Sequence, residues 1–279
     1  MSGYFRASRR RPCIDASALT QGTWNPGDAE NGRLLEVTAL SKAFAGIAAS
    51  DRLSFDVSTG EIHAVIGPNG AGKTTLVNQI GGQTLPDSGS IKFAGRDITW
   101  LPAHRRSRLG LARSFQISEL FLDFSTMDNV ALAVQAQAGH SFRFWRAARS
   151  VPELRKPALD ALARVGLLDR ADFPASQLSH GEHRLLELAV ALGGRPRMLV
   201  LDEPMAGLGP EGSTRMIGLL RELKEEFTIL LIEHDMDAVF ALADRITVLH
   251  SGRVVASDVP TSIRANAEVQ EAYLGSQEP

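Results

Sequence analysis

The stretch Gly67-Pro68-Asn69-Gly70-Ala71-Gly72-Lys73-Thr74-Thr75 fits the pattern G-x-x-x-x-G-K-[ST] at every fixed position. This pattern restricts the fold tightly, because it works only between a buried strand and a helix. Both flanks comply: Ile62-His63-Ala64-Val65-Ile66 reads as a buried strand, and Thr75-Leu76-Val77-Asn78-Gln79-Ile80 as a helix start. Glycines let backbone N–H groups curl around phosphate oxygens where a side chain would block the approach. The helix behind them points its N-terminal partial positive charge at the same anion. Lys73 is placed to reach β- and γ-phosphates, and the Thr74 hydroxyl to sit on Mg²⁺. The residues therefore describe a nucleoside triphosphate site in an α/β core.

The bulk numbers bound the rest. A chain of 279 residues, 44% hydrophobic and 22% charged, suits one large α/β domain with an inserted subdomain, or two small domains. A formal net charge of −2 speaks against nucleic acid as main partner, since phosphate binding needs a basic excess. The single cysteine, Cys13, excludes an internal disulfide and fits a reducing compartment. No apolar run approaches the ~20 residues that span a bilayer, so membrane association must go through a partner.

Residues 1–33 read as a tail. Arg6, Arg9, Arg10 and Arg11 precede the first acid, Asp15, and Gly, Asn, Asp and Pro then dominate without periodicity. No apolar segment follows the basic start, which argues against a signal peptide. Disorder and a start assigned upstream of the true one both account for it. From Leu34, the stretches Leu35–Leu40 and Arg52–Val57 alternate as half-buried strands. Ser58-Thr59-Gly60 is a turn, residues 85–90 are turn material, and Ile91-Lys92-Phe93 with Ile98 suggests a short antiparallel pair around Gly95.

Residues 102–193 carry Ala, Leu and Arg at helical spacing: Val130, Leu132 and Val134, then Leu154 through Val165, then Leu185 to Leu192. Gly166 closes one helix and Pro174 interrupts the next connection. The reading is an inserted helical subdomain. Its aromatic and basic segment 139–146 is either a helix pair packed on its neighbours or a contact surface. From Met198 the α/β pattern returns. Met198–Leu201 and Thr228–Ile232 are apolar throughout, as parallel strands covered on both faces require. Arg245–Leu249 forms a further strand before the Ser251-Gly252 turn.

Asp202 and Glu203 end the first of those strands, where ligands sit in parallel sheets. Asp202 is placed to hold Mg²⁺, in part through water, and Glu203 to polarise an attacking water. Two acids there, with Pro204 following, also fit a helix N-cap. Ser179 and Glu182 form a capping-box pattern ahead of a helix, and the same geometry offers N–H groups and a hydroxyl to an anion. His234, ending another buried strand, can bond a terminal phosphate oxygen. Gln116 is polar at a junction between core and helical segments. Phe44 is a candidate to stack on a base, with a core position as its default. His63, His104, His140, His183 and His250 show no metal-ligand spacing.

In this order the motifs make the chain resemble the ATP-binding subunits of ABC transporters, from about Leu34 to Gly275. Phe44 matches the adenine-stacking aromatic, residues 67–75 the Walker A loop, and Gln116 the Q-loop. Leu178–Glu182 match the signature, Met198–Glu203 the Walker B strand with its catalytic glutamate, and His234 the switch histidine. Three departures stand out. His180 and Glu182 replace the commonest Gly and Gln of the signature, while Ser179 and Gly181 are kept. The D-loop, Ala206-Gly207-Leu208-Gly209, lacks the usual Asp or Asn.

The resemblance implies a P-loop NTPase (RecA-like) α/β core with an antiparallel β-subdomain (34–101 and 194–279) and an inserted helical subdomain (102–193). It implies ATP and Mg²⁺ as cofactors. The nucleotide-binding set is Phe44, residues 67–75, Ser179, Gly181 and Asp202. Thr74, Gln116 and Asp202 serve the metal, and Glu203, His234 and Gln116 serve catalysis. It also implies a head-to-tail pair of ATPase chains with each ATP between one Walker A and the other signature. It further implies membrane permease subunits and, indirectly, a periplasmic solute-binding protein as partners, with this chain peripheral on the cytoplasmic face of the inner membrane.

Leu231–Met236, Glu203–Leu208 and Glu271–Gly275 look most like the importers of branched-chain amino acids. Urea-type importers and the lipopolysaccharide-exporter ATPase have similar patterns. A soluble ABC ATPase acting on nucleic acid or ribosomes is a competing class, but the second cassette, coiled coil or zinc cysteines of such proteins are missing. A P-loop kinase would leave Ser179, Gly181 and His234 without a role.

Overall fold

The computed structural model describes residues 32–113, 120–138 and 152–274. Two sheets share the chain. Strands β1 (Arg33–Phe44) and β2 (Ile47–Ser58) form an antiparallel hairpin. Its two-residue loop has positive φ at both Ala45 (47°) and Gly46 (87°), the combination whose twist matches that of the strands. With β4 (Ser88–Phe93) and β5 (Arg96–Asp97) they make a four-stranded sheet in the order β2-β1-β4-β5. The antiparallel pair expected around Gly95 is β4 with β5.

The second sheet runs β10-β9-β3-β8-β7-β6. Its strands β3 (Ile62–Ile66), β6 (Leu111–Arg113), β7 (Met198–Asp202), β8 (Thr228–Ile232) and β9 (Arg245–His250) are parallel. Strand β10 (Arg253–Asp258) joins antiparallel at the edge. Strands β3, β7 and β8 are buried at every residue, and alternate side chains serve different cores. Val200 and Leu230 face the four-stranded sheet and Leu76, Val77 and Ile80 of helix α1 (Lys73–Gly81). Leu199 and Leu231 pack with the helical layer. That layer comprises α3 (Thr126–Gln137), α4 (Pro152–Arg164) and α5 (His180–Gly193), with α6 (Pro210–Lys224) continuing the same core. A third cluster joins Ala64 and Ile66 to α7 (Met236–Leu242) and α8 (Pro260–Ala265).

The structure departs from the sequence reading in two places. Leu111–Arg113, inside the stretch read as helical, is a sheet strand pairing Leu111 with Met198. Three residues are too few to show an alternation. The helix N-cap reading of Asp202-Glu203 does not hold either, because the chain turns at 204–207 and α6 starts only at Pro210. The short helix α2 (Ala103–Arg108) is tied down by Arg106, which is 1% exposed. Its guanidinium donates to Gln79 O (2.6 Å), Ile80 O (2.7 Å), Leu101 O (2.8 Å) and Thr99 O (2.9 Å). Those first two carbonyls end α1, where a cation complements the helix dipole. Burial lowers the Arg106 pKa to about 10, with Asp97 opposing, so the group stays charged at neutral pH.

Candidate functional site

Strand β3 delivers the chain into the 67–72 loop, and two glycines there are sterically obligatory. A Cβ on Gly67 would fall 2.3 Å from Leu249 O, and one on Gly72, at φ 101°, would fall 2.2 Å from Ala49 O. The loop is bolted from below, since Gly252 N donates to Ala71 O (3.0 Å) and Asp51 N to Gly252 O (2.7 Å). Gly72 caps α1 without a side-chain acceptor, leaving first-turn N–H groups available to an anion. Lys73 is buried and donates to Gly67 O (2.5 Å) and Pro68 O (3.1 Å). Burial lowers its pKa, against the pull of Glu203 and Asp202. Thr74 is exposed in the first turn and Thr75 is half-buried. These features fit a nucleotide's phosphates.

Asp202 ends β7 at 3% exposure. Burial raises its pKa, while Arg113, 3.2 Å away, opposes the rise. The Arg113 guanidinium also donates to Asn78 Oδ1 (2.7 Å) and to Gln83 Oε1, so β6, α1 and β7 meet on one side chain. Glu203 takes the left-handed conformation, φ 51°, which costs energy for a residue with a Cβ and a long side chain. His234, past the end of β8, brings Nδ1 to 3.6 Å from Glu203 Oε1 and 3.7 Å from Glu233 Oε2. Thus Lys73 of α1, the neighbouring Asp202 and Glu203, and His234, three points far apart in the chain, gather at one edge of the sheet.

Ser179 caps α5 in a complete capping box: its Oγ accepts from Glu182 N, and Glu182 Oε2 accepts from Ser179 N at 2.8 Å. That backbone bond, more than the nearby Arg170, holds the Glu182 pKa below its ordinary value. Gly181 faces Leu208, and the His180 ring rests against Gly207 (φ 75°), with Nε2 3.4 Å from Ala206 O. Phe44 is half-exposed at the β1–β2 hairpin tip, with Lys42 Nζ 5.4 Å from its ring centre, so its default core position does not apply. Gln116 and the segment 139–146 lie outside the described residues. His63 is a satisfied core residue bonded to Thr247 Oγ1 (2.7 Å) and Glu61 Oε1 (3.1 Å).

Sequence reasoning missed Arg113 and Glu233. Arg113 sits in a strand too short to read. Glu233 adjoins His234 in the chain, so a strand-end acid was visible, but nothing in the sequence says that it turns inward.

The family model described as ABC transporter matches residues 50–206. The chain belongs to that family. A second model, for branched-chain amino acid ATP-binding cassette transporters, matches 253–279. This ABC cassette is 37% identical over 251 residues to the LivG high-affinity branched-chain amino acid transport ATP-binding protein of Salmonella typhimurium. The match covers 87% of this chain and 98% of that protein. BraF of Pseudomonas aeruginosa is 37% identical over 249 residues with the same coverage. Among solved structures, a nucleotide-free ATP-binding cassette superposes with a TM-score of 0.78 at 29% identity, over 86% of this chain and 98% of that one. The ADP conformation of a cassette gives 0.78 at 28%, over 87% and 99%. The fold is the P-loop cassette fold, and the protein is an ABC ATPase. No helix among the described residues is long and apolar enough to cross a membrane.

Proposed function

We propose that this chain is the ATP-hydrolysing subunit of an importer for branched-chain or related amino acids, attached to the cytoplasmic face of the inner membrane through permease partners. The observation that carries the substrate class is the C-terminal segment 253–279, which matches the branched-chain amino acid cassettes.

In this reading Gly67–Gly72 wrap the phosphates, and Lys73 swings from its loop carbonyls to the β- and γ-oxygens. Thr74 and Asp202, with Gln116, would hold Mg²⁺. A Mg²⁺ ion held by these residues would supply neutralisation of the charge that develops on the transferred phosphoryl group. Glu203 orients a water and takes up its proton, and His234 bonds the terminal phosphate. Phe44 stacks on the base. Ser179 and Gly181 serve the nucleotide of a second, head-to-tail cassette. A cavity of about 460 Å³ between the α1 and α2 ends and the helical layer, lined by Gln83, His104, Arg113, Leu120 and Glu187, supports docking of a membrane subunit. Arg113 lines this cavity and also bonds Asp202, which offers a route from docking to the hydrolytic strand end.

Purification of the tagged chain from mild-detergent membranes tests the proposal. Two multi-span permease subunits, a second ATPase and a periplasmic amino-acid binder are expected to co-purify. Recovery of the chain alone, or with RNA, would refute the transport reading and leave the ATPase standing.

A further inference from the structure

Glu233 is the most deeply buried acid among the described residues, at 1% exposure. A carboxylate so placed is costly unless its oxygens are bonded. No Lys or Arg pairs with it among the described residues, and its ligands are backbone. Oε1 accepts from Met205 N (2.9 Å), and Oε2 from His234 N (2.9 Å) and Asp235 N (3.3 Å). The β7–β8 ladder ends at Asp202 opposite Ile232, followed only by Glu203 N donating to Ile232 O at 2.9 Å. Beyond that point one side chain continues the connection between the two strand ends.

This placement brackets the strained residue. Glu203 is held on its N-terminal side by the bond to Ile232 and two residues later by Met205 on Glu233. The same carboxylate fixes the backbone of His234, whose ring reaches both acids. Further along the turn, Ala206 and Gly207 carry the ring of His180, the first residue of α5.

We infer that Glu233 is a positioning residue for hydrolysis, locking the Glu203–Leu208 turn and the His234 loop into one unit. The inference rests on the reading of Glu203 as the base. An unlocked turn lets Glu203 relax out of its left-handed conformation and carries the base off the water it must meet.

The test is Glu233→Gln in the full chain, whose amide NH₂ cannot accept what one carboxylate oxygen accepts. ATP turnover, ATP affinity, melting and amide exchange by mass spectrometry are compared with wild type. A fall in kcat of at least about tenfold is expected, with KM and ATP Kd held within about twofold. Exchange of the Met205 amide should quicken about tenfold while α1 and α5 stay protected. A kcat within about twofold of wild type overturns the inference. So does a general loss of melting temperature, ATP affinity and β7–β8 protection together, which is what a merely structural acid would give. If Glu233→Gln does not fold, Glu233→Asp decides by the same readouts, since one methylene less cannot span both strand ends. Glu203→Gln is measured alongside. Retained turnover there removes Glu203 as base, while Met205 exchange still reports on the Glu233 link by itself.

Discussion

Lys73 shows how one residue stores the demand for its ligand. The ammonium is 9% exposed and rests on two neutral carbonyls, a setting that replaces only part of its hydration. Burial therefore lowers its pKa from 10.5, so the charged form is disfavoured until anionic oxygens arrive. In the proposed binding mode phosphates would raise the pKa again, and ATP binding would take up a proton wherever the free chain has already lost it. ATP affinity should accordingly fall as pH rises through a value below 10.5. In Lys73→Arg, whose guanidinium stays protonated, that fall should be missing. Titrations of ATP from about pH 8 to 10 check this, and equal pH profiles for the two chains would refute it. Glu203 is the second residue set by its surroundings. Its φ of 51° costs on the order of 1 kcal/mol and persists because bonds to β8 and to Glu233 hold the turn on both sides.

At the scale of elements, α5 shows a local signal used twice. The Ser179–Glu182 box satisfies N–H groups at the helix start, and removing the hydroxyl in Ser179→Ala should cost about 1 kcal/mol in chemical denaturation. Glu182 adds a pH dependence whose sign follows from its lowered pKa. The carboxylate stabilises the fold above the ordinary Glu value, and that contribution disappears as pH falls through the lowered one. Glu182→Gln keeps an oxygen for Ser179 N but loses the charge. It should stay within about 1 kcal/mol of wild type at neutral pH, because Arg170 and Glu182 are solvent-screened. Its acid limb should be flatter than that of wild type over about pH 3 to 7. An unchanged acid limb would take Glu182 out of the acid response.

At the scale of the whole molecule, one chain carries one phosphate loop, at 67–75, and one signature segment, at 178–182. The head-to-tail pairing of the Proposed function makes both sites depend on two chains. Glu203→Gln should bind ATP, sediment as a dimer with Mg-ATP, and lose about 10²–10⁴-fold in kcat. Near-normal turnover would remove Glu203 from the mechanism, and a monomer at saturating ATP would refute the pairing. The chemistry then sits where the fold places it. Strand β8 lies between β7 and β3, which gathers the acids that follow β7 and the histidine that follows β8 on the side of the sheet where the phosphate loop leaves β3.

Much of this was legible in the chain itself. Gly67, Gly72, Lys73 and Thr74 announce a phosphate loop because their spacing has a steric reason that holds in any context. The apolar runs Met198–Leu201 and Thr228–Ile232 announce covered parallel strands, since only such strands are hydrophobic on both faces. Strand β6 was beyond reach, because three residues carry no period and it forms only by pairing with β7. The inward turn of Glu233, the left-handed Glu203 and the Arg113–Asp202 pair were equally hidden. Each is a long-range consequence of which strand ends lie side by side, and a hydrogen bond between residues 28 positions apart, such as Met205 to Glu233, leaves no local mark. Local sterics and periodicity determined the loop, the strands and the caps; only the sheet order decided how charges meet around them.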